Sequence, residues 1–313
     1  MFGALKSLFK QQYVVIALVL GVVLVAFPCI TIDKDNHFTT HPPTTFVLVI
    51  AGLALLSLSS AAFAWTLLSK PATDADGAGL DLRRVNESNG ELWTCVSGCE
   101  IRVVNGRIED YSGETGPAIA LPCNEYFDDR CVNDTKSALG AYVNRVFDGQ
   151  AAEFASLVEE ECRKRLGPGI QQQKTVDEHA ESFGPGRCLL LVKPLGRSIP
   201  VALVSTTTQR AGEGLAARIS YLFDGMHALV ARLADARLNE VAMPILGAGH
   251  GRIDPPLALV GLLLAVAEAA RYGQGGQRLR RVTIIVFRKD ANSPAEVDQV
   301  VVRRALALIG SPD

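Results

Sequence analysis

The residues whose types and spacing could do chemistry begin with three glycines and a histidine. Val241 to Leu246 is a short apolar run, and Gly247-Ala248-Gly249-His250-Gly251 follows it directly. A longer apolar segment, Leu257–Ala270, comes next. The order reads as strand, glycine turn, helix. Glycine adopts positive φ freely and lets the backbone pass close to a bulky ligand. Successive backbone N–H groups in such a turn, with a helix N-terminus behind, favour an anion such as phosphate. No Lys-Ser/Thr pair follows, so this is not a Walker loop, and it does not sit after the first strand as the dinucleotide fingerprint does. Two readings remain open: a phosphate-binding turn or a tight β–α connection.

A second group surrounds Asn124, which ends the apolar run Ala118–Cys123. Its amide could hold ribose hydroxyls or cap a turn. Asp128 and Asp129 could bind ribose or start a turn, and Phe127 could stack on a ligand or pack on the core. Ser137 precedes a helical segment beginning near Ala138 and is a good N-cap. Gly140 marks a close approach. His250 could donate to a phosphate or stand exposed. Glu125 and Glu213 are possible acids, but no nucleophile pairs with them.

These groups need elements to position them. Strands are expected at Ile101–Val104, Ala118–Cys123, Cys188–Lys193, Ile199–Ser205, Val241–Leu246 and Arg281–Phe287, the third and fourth as an antiparallel pair. Helices are expected from Ala138, over Ala151–Leu166, Leu215–Ala236, Leu257–Arg271 and Ala295–Leu308. Gln171–Gly186 and Thr206–Gly214 read as polar and irregular. Strand and helix alternate in the second half, which implies a mostly parallel sheet with helices on its faces. In such sheets ligands sit beyond the carboxyl ends of the strands. Asn124–Asp129, Thr206–Gly212 and Gly247–Gly251 lie at such ends, so these three loops are expected to meet at one rim.

The chain has 313 residues, with a net charge of −2 and 6% aromatics. Neither figure fits a nucleic-acid footprint. The seven cysteines are odd in number and irregular in spacing, which argues against a disulfide framework and fits a reducing compartment. Cys95 and Cys99 could be half of a zinc site, but no second pair completes it. Tyr13–Ile32 and Thr44–Leu68 are uncharged apolar runs, each about as long as a membrane span requires. They predict a two-helix transmembrane hairpin within residues 1–70. Lys6, Lys10 and Lys70 would hold both ends in the cytoplasm. A cleaved signal peptide or a buried soluble hairpin fits less well. Small residues along the second span suit self-association. A linker, residues 71–79, and a cytoplasmic domain, residues 80–313, complete the expected organisation.

The segment PILGAGHGR after an apolar strand resembles the phosphate-binding glycine loop of macro domains. AIALPCN, followed by EYFDD and SALGAYVNRVF, resembles the macro-domain strand that ends in asparagine and the small-residue helix start behind it. The resemblance implies a mixed, mostly parallel sheet with flanking helices, and loops that grip the diphosphate and distal ribose of ADP-ribose. The site residues it implies are Asn124, Glu125, Phe127, Asp128, Ser137, Leu139, Gly140, Thr206, Leu246, Gly247, Ala248, Gly249, His250 and Gly251. It implies no catalytic residue, metal or cofactor.

LPCNEYFDD, the Ser-x-x-Gly helix start, FGPG before a strand and two N-terminal spans together resemble the membrane-anchored macro-domain effectors of Thoeris anti-phage defence. That resemblance implies an inner-membrane, multi-pass receptor for an ADP-ribose-like signal made from NAD by a partner TIR enzyme. It further implies a homo-oligomer whose membrane part causes cell death or growth arrest. An alternative is a membrane-tethered ADP-ribosylhydrolase using Asn124, Asp128 and His250. Two features depart from the macro pattern. Val104–Ile108 lacks the Asp that grips adenine in many members, with Asp110 a few residues late. The asparagine of hydrolytic members could correspond to Asn124 or Asn133.

Overall fold

A computed structural model describes residues 81–111, 116–210, 214–272, 278–290 and 292–310. The chain divides into two units, Met1–Gly79 and Leu80–Asp313. The two apolar runs and the linker fall outside the described residues. Among the described residues no helix is long and apolar enough to cross a membrane. The multi-pass inner-membrane location expected above is therefore corrected. Among the described helices, Leu222, Met226, Leu229, Leu259, Leu262 and Leu263 are packed in the core, while Leu257, Leu264, Val300 and Leu308 are exposed.

In chain order the strands are β1 (Asn86–Ser88), β2 (Glu91–Val96), β3 (Cys99–Gly106) and β4 (Ala118–Asn124). Three helices follow, α1 (Asp129–Asn133), α2 (Ala138–Val146) and α3 (Ala151–Arg165). Next come β5 (Ile170–Gln173), β6 (His179–Ser182), β7 (Cys188–Leu191), β8 (Val201–Arg210) and β9 (Gly214–Ala217). The last stretch alternates: α4 (Ile219–Asp235), β10 (Glu240–Pro244), α5 (Pro255–Tyr272), β11 (Arg281–Phe287) and α6 (Gln299–Ile309).

The main sheet runs β1-β2-β3-β11-β10-β4-β8-β7, with β9 paired to β8. Its five central strands, β3, β11, β10, β4 and β8, are mutually parallel. The outer pairings are antiparallel. Helices cover both faces, so the central strands are buried twice and read as near-continuous apolar runs. The pleat sorts their side chains between two cores. Ala118 and Ala120 of β4 join Ala202, Val204, Val282 and Ile284 beneath α4, α5 and α6. Ile119, Leu121 and Cys123 join Val201, Leu203 and Ile285 beneath α1, α2 and α3.

Several expectations need correction. Gln171–Gly186 holds an antiparallel ribbon, β5 against β6. Thr206–Arg210 continues β8, and Leu215–Ala217 pairs back onto Thr207–Gln209 instead of starting the helix. The helix begins only at Ile219, because Arg218 is extended. The last helix starts at Gln299, not Ala295, where Asp298 caps it by accepting from the Val300 amide at 2.7 Å. Cys95 is exposed and Cys99 is buried, and the register of β2 against β3 pairs Cys95 with Glu100 and Cys99 with Val96, which puts the two thiols on opposite faces of the hairpin. Among the described residues no group of three His, Cys, Asp or Glu could hold a metal ion.

Candidate functional site

The carboxyl ends of β4, β8, β10, β11 and β3 open on a cleft of about 570 Å³. This lies within the range of small-molecule sites. One wall is the turn after β10. Gly247 (φ +83°) and Gly249 (φ +61°) adopt the left-handed conformation that glycine tolerates. The amides of Gly247, Ala248, Gly249 and His250 meet no acceptor among the described residues, whereas those of Gly251, Arg252 and Ile253 fold back onto Ala248, Gly249 and Gly247. A row of unspent donors therefore lines the turn.

The glycines differ in what constrains them. A Cβ on Gly251 would lie 2.8 Å from Ala217 Cβ and 3.2 Å from Thr207, so this glycine serves packing. A Cβ on Gly249 would meet nothing within 4 Å. Only open space flanks it in the cleft wall. Leu246 does not reach the cleft; it is fully buried in the core beneath the turn.

The opposite wall comes from the connection between α1 and α2, with Asp134, Thr135, Lys136 and Ser137 facing the cleft. Ser137 caps α2. Its hydroxyl accepts from the Gly140 amide at 2.9 Å and donates to the Asp134 carbonyl at 2.8 Å. Gly140 itself lies behind this wall. A Cβ there would sit 2.1 Å from the Asp134 carbonyl oxygen, so its close approach is to the chain's own backbone. Leu139 is likewise buried in the core. His250 Nε2 stands 3.2 Å from Asp134 Oδ2, which joins the two walls across the rim.

Asn124 lines the cleft floor at 2% exposure. Its side-chain oxygen accepts from the Tyr126 amide at 3.0 Å, and its nitrogen donates to Asp128 Oδ1 at 3.3 Å. The register between β4 and β8 slips here, with Cys123 opposite Ser205 but Asn124 opposite Thr207. Thr206 falls in the slip. It lines the cleft, and its buried hydroxyl has no partner among the described residues.

The structure turns three expected site residues away from the cleft. Glu125 is buried; its carboxylate accepts from Ser182 Oγ at 3.0 Å and from the Gln209 amide at 3.1 Å, bracing β4, β6 and β8. Phe127 packs edge-on against Phe183, with centroids 6.1 Å apart. Asp128 caps α1 and pairs with Lys174 Nζ at 2.5 Å. The cleft lining thus includes Asn124, Ser137, Thr206 and Gly247 through Gly251, and leaves out Glu125, Phe127, Asp128, Leu139, Gly140 and Leu246.

Other lining residues are not among the site residues expected from the sequence. Ile108, Glu109, Phe287 and Glu296 form the end of the cleft beside β3 and β11. Glu109 is buried and pairs with Arg107 at 2.9 Å. Burial raises the Glu296 carboxyl above its ordinary value, and its backbone amide donates to the Phe287 carbonyl at 3.0 Å. These residues meet only because β3 and β11 are sheet neighbours. Cys131 also lines the cleft, and burial pushes its thiol up to about 12.

The arrangement is an α/β domain with a cleft at the carboxyl rim of its parallel strands. Residues 114–286 match the family described as "Thoeris protein ThsA, Macro domain". The chain belongs to this family, and its fold is the macro-domain fold. No match was found among curated proteins. Solved structures similar to the chain include an Oceanobacillus iheyensis macrodomain with ADP, at 10% identity and a TM-score of 0.45, covering 64% of this chain and 89% of that one. The macrodomain of Thermus aquaticus DarG is similar at 19% identity and a TM-score of 0.39, over 59% of this chain and 97% of that one. A Trypanosoma brucei macrodomain in complex with ADP-ribose is similar at 13% identity and a TM-score of 0.41, over 67% and 69%.

Proposed function

We propose that the cleft is the receptor site for an ADP-ribose-like nucleotide derived from NAD, and that the chain senses this molecule as an anti-phage signal. The observation that carries the reading is the turn after β10. Its amides at Gly247 through His250, which meet no acceptor among the described residues, and the open space at Gly249 suit a diphosphate that must approach the backbone closely. The β3–β11 end offers apolar Ile108 and Phe287 for a base and the Glu109 carboxylate for its amino group. Asn124, Thr206 and the Asp134–Ser137 wall suit the hydroxyls of a distal ribose. The signal would come from a partner TIR enzyme that consumes NAD, and binding would trigger growth arrest or cell death.

Titration calorimetry of the full chain with ADP-ribose tests the binding, and chromatography of the recovered ligand tests its fate. A receptor binds one ligand per chain and returns it intact. Absence of heat at millimolar ligand would overturn the reading. The hydrolase reading rests on the His250–Asp134 pair, the kind of contact that could orient a water at the rim. Conversion of ADP-ribose derivatives at catalytic concentrations of the chain would favour it.

A further inference from the structure

The β5–β6 ribbon lies outside the cleft lining, yet it holds a lysine that is 3% exposed. Lys174 follows β5, and its amide donates to the Glu178 carbonyl at 2.8 Å, which closes the turn of the ribbon. Its Nζ pairs with Asp128 Oδ2 at 2.5 Å and with Glu178 at 3.3 Å, and lies 5.4 Å from the centre of the Tyr126 ring. Burying a lysine this far is costly unless its charge is matched. Here it is matched chiefly by Asp128. The other oxygen of that carboxylate accepts from the Asn124 side chain inside the cleft. The contacts run without a gap from the ribbon to the floor of the site.

We propose that Lys174 is a positioning residue: through Asp128 it fixes the orientation of the Asn124 amide presented to the ligand. The assignment rests on the receptor reading of the cleft. The chain of contacts has a direction. Lys174 holds one oxygen of Asp128 as an ion pair, and the other oxygen accepts from the Cys131 amide at 3.4 Å as the α1 cap and from the Asn124 side chain. With the nitrogen committed to Asp128 and the oxygen to the Tyr126 amide, the amide cannot flip. It keeps one N–H for a ligand hydroxyl. Asp128 thereby acts on the site from behind without lining it. Glu178 is shared with Arg130 at 2.6 Å, which ties the ribbon to α1 a second time.

The test uses the full chain labelled with 15N at asparagine, with Lys174→Met and Lys174→Arg compared to the parent. Two readouts are taken: the side-chain amide signals of Asn124, assigned by their loss in Asn124→Ser, and ADP-ribose affinity by calorimetry. Lys174→Met is expected to shift both Asn124 NH₂ signals toward free-amide positions and to weaken ADP-ribose about tenfold. Lys174→Arg, which keeps the cation, is expected to restore the signals and bring affinity within about threefold of the parent. If Lys174→Met folds and leaves the Asn124 signals and the affinity unchanged, the assignment is overturned. Equal damage from Met and Arg would also overturn it, because that pattern belongs to packing and not to charge. Should Lys174→Met fail to fold, Lys174→Gln set against Lys174→Arg provides the same comparison, with the signals expected to shift in Gln and to be kept in Arg. If the parent does not bind ADP-ribose, the receptor reading fails, while the amide signals still decide whether Lys174 orients Asn124.

Discussion

Replacing Gly249 separates the cost of folding from the cost of binding. At φ +61° an L-residue is strained, while a Cβ built there meets no atom of the described residues within 4 Å. Gly249→Ala should therefore lose about 1–2 kcal/mol of stability from backbone strain alone, with no steric term. For a domain of this size that lowers the melting temperature by about 2–8 °C. The new methyl would occupy the space through which a diphosphate reaches the Gly249 and His250 amides. A tenfold loss of ADP-ribose affinity corresponds to about 1.4 kcal/mol, and blocking two donor contacts should exceed it. Gly249→Glu adds a like charge. At about 6 Å and an effective dielectric near 20, the repulsion is about 3 kcal/mol before salt screening. The expected order is parent, then Ala weaker by at least tenfold, then Glu weaker again by about a hundredfold. Thermal melts and calorimetry on the same preparations measure both terms. A lowered melting temperature with unchanged affinity in both variants would remove the turn from the site.

Other expectations follow from particular residues. Thr206→Val removes a buried hydroxyl that has no partner among the described residues; it should leave stability unchanged or raise it by about 1 kcal/mol while weakening ADP-ribose several-fold, as read by denaturant titration and calorimetry. Gly140→Ala places Cβ 2.1 Å from the Asp134 carbonyl oxygen and should cost at least about 2 kcal/mol of stability in the same titration. Glu100 accepts from Arg102 at 2.5 Å and Arg281 at 2.8 Å, and these bonds, Arg102's first, hold its carboxyl below the ordinary 4.5. Its stabilisation of the β3–β11 pair is thus fully present above pH 4.5 and lost as pH falls through the lowered value. Glu100→Gln should flatten that part of the stability–pH curve, and a curve unchanged by the substitution would refute the assignment. Burial pushes the thiols of Cys99, Cys131, Cys162 and Cys188 up to about 12. Mass spectrometry after brief alkylation near pH 8 should find these four unmodified and the exposed Cys95 labelled.

How much could be read from the sequence depended on burial. Ala118–Asn124, Glu240–Pro244 and Arg281–Phe287 are covered on both faces, so their apolar runs stand out. The β5–β6 ribbon did not stand out, because Gln171, Gln172 and Gln173 are all exposed and carry no alternation. The far half of β8 was hidden for a related reason: Thr206–Arg210 is polar, and its pairing with β9 depends on the backbone. At the site, the glycine turn was legible because glycine types report backbone conformation directly. Glu125 and Asp128 were legible as special but not by their partners, and of the two readings of Phe127 the structure takes the core. Their partners Ser182, Phe183 and Lys174 lie some fifty residues away in the chain. Glu109, Phe287 and Glu296 were not among the expected site residues, since only the parallel register of β3 against β11 brings them together.

The most direct test of the account is the amide response of the turn itself. With the full chain labelled at glycine and titrated with ADP-ribose, the Gly247 and Gly249 amides should move strongly downfield as they take up the diphosphate. The Gly251 amide, already donating to Ala248 at 3.3 Å, should move much less. Saturating ligand that shifts Gly251 or distant glycines while leaving Gly247 and Gly249 in place would contradict the assignment of this turn as the phosphate cradle.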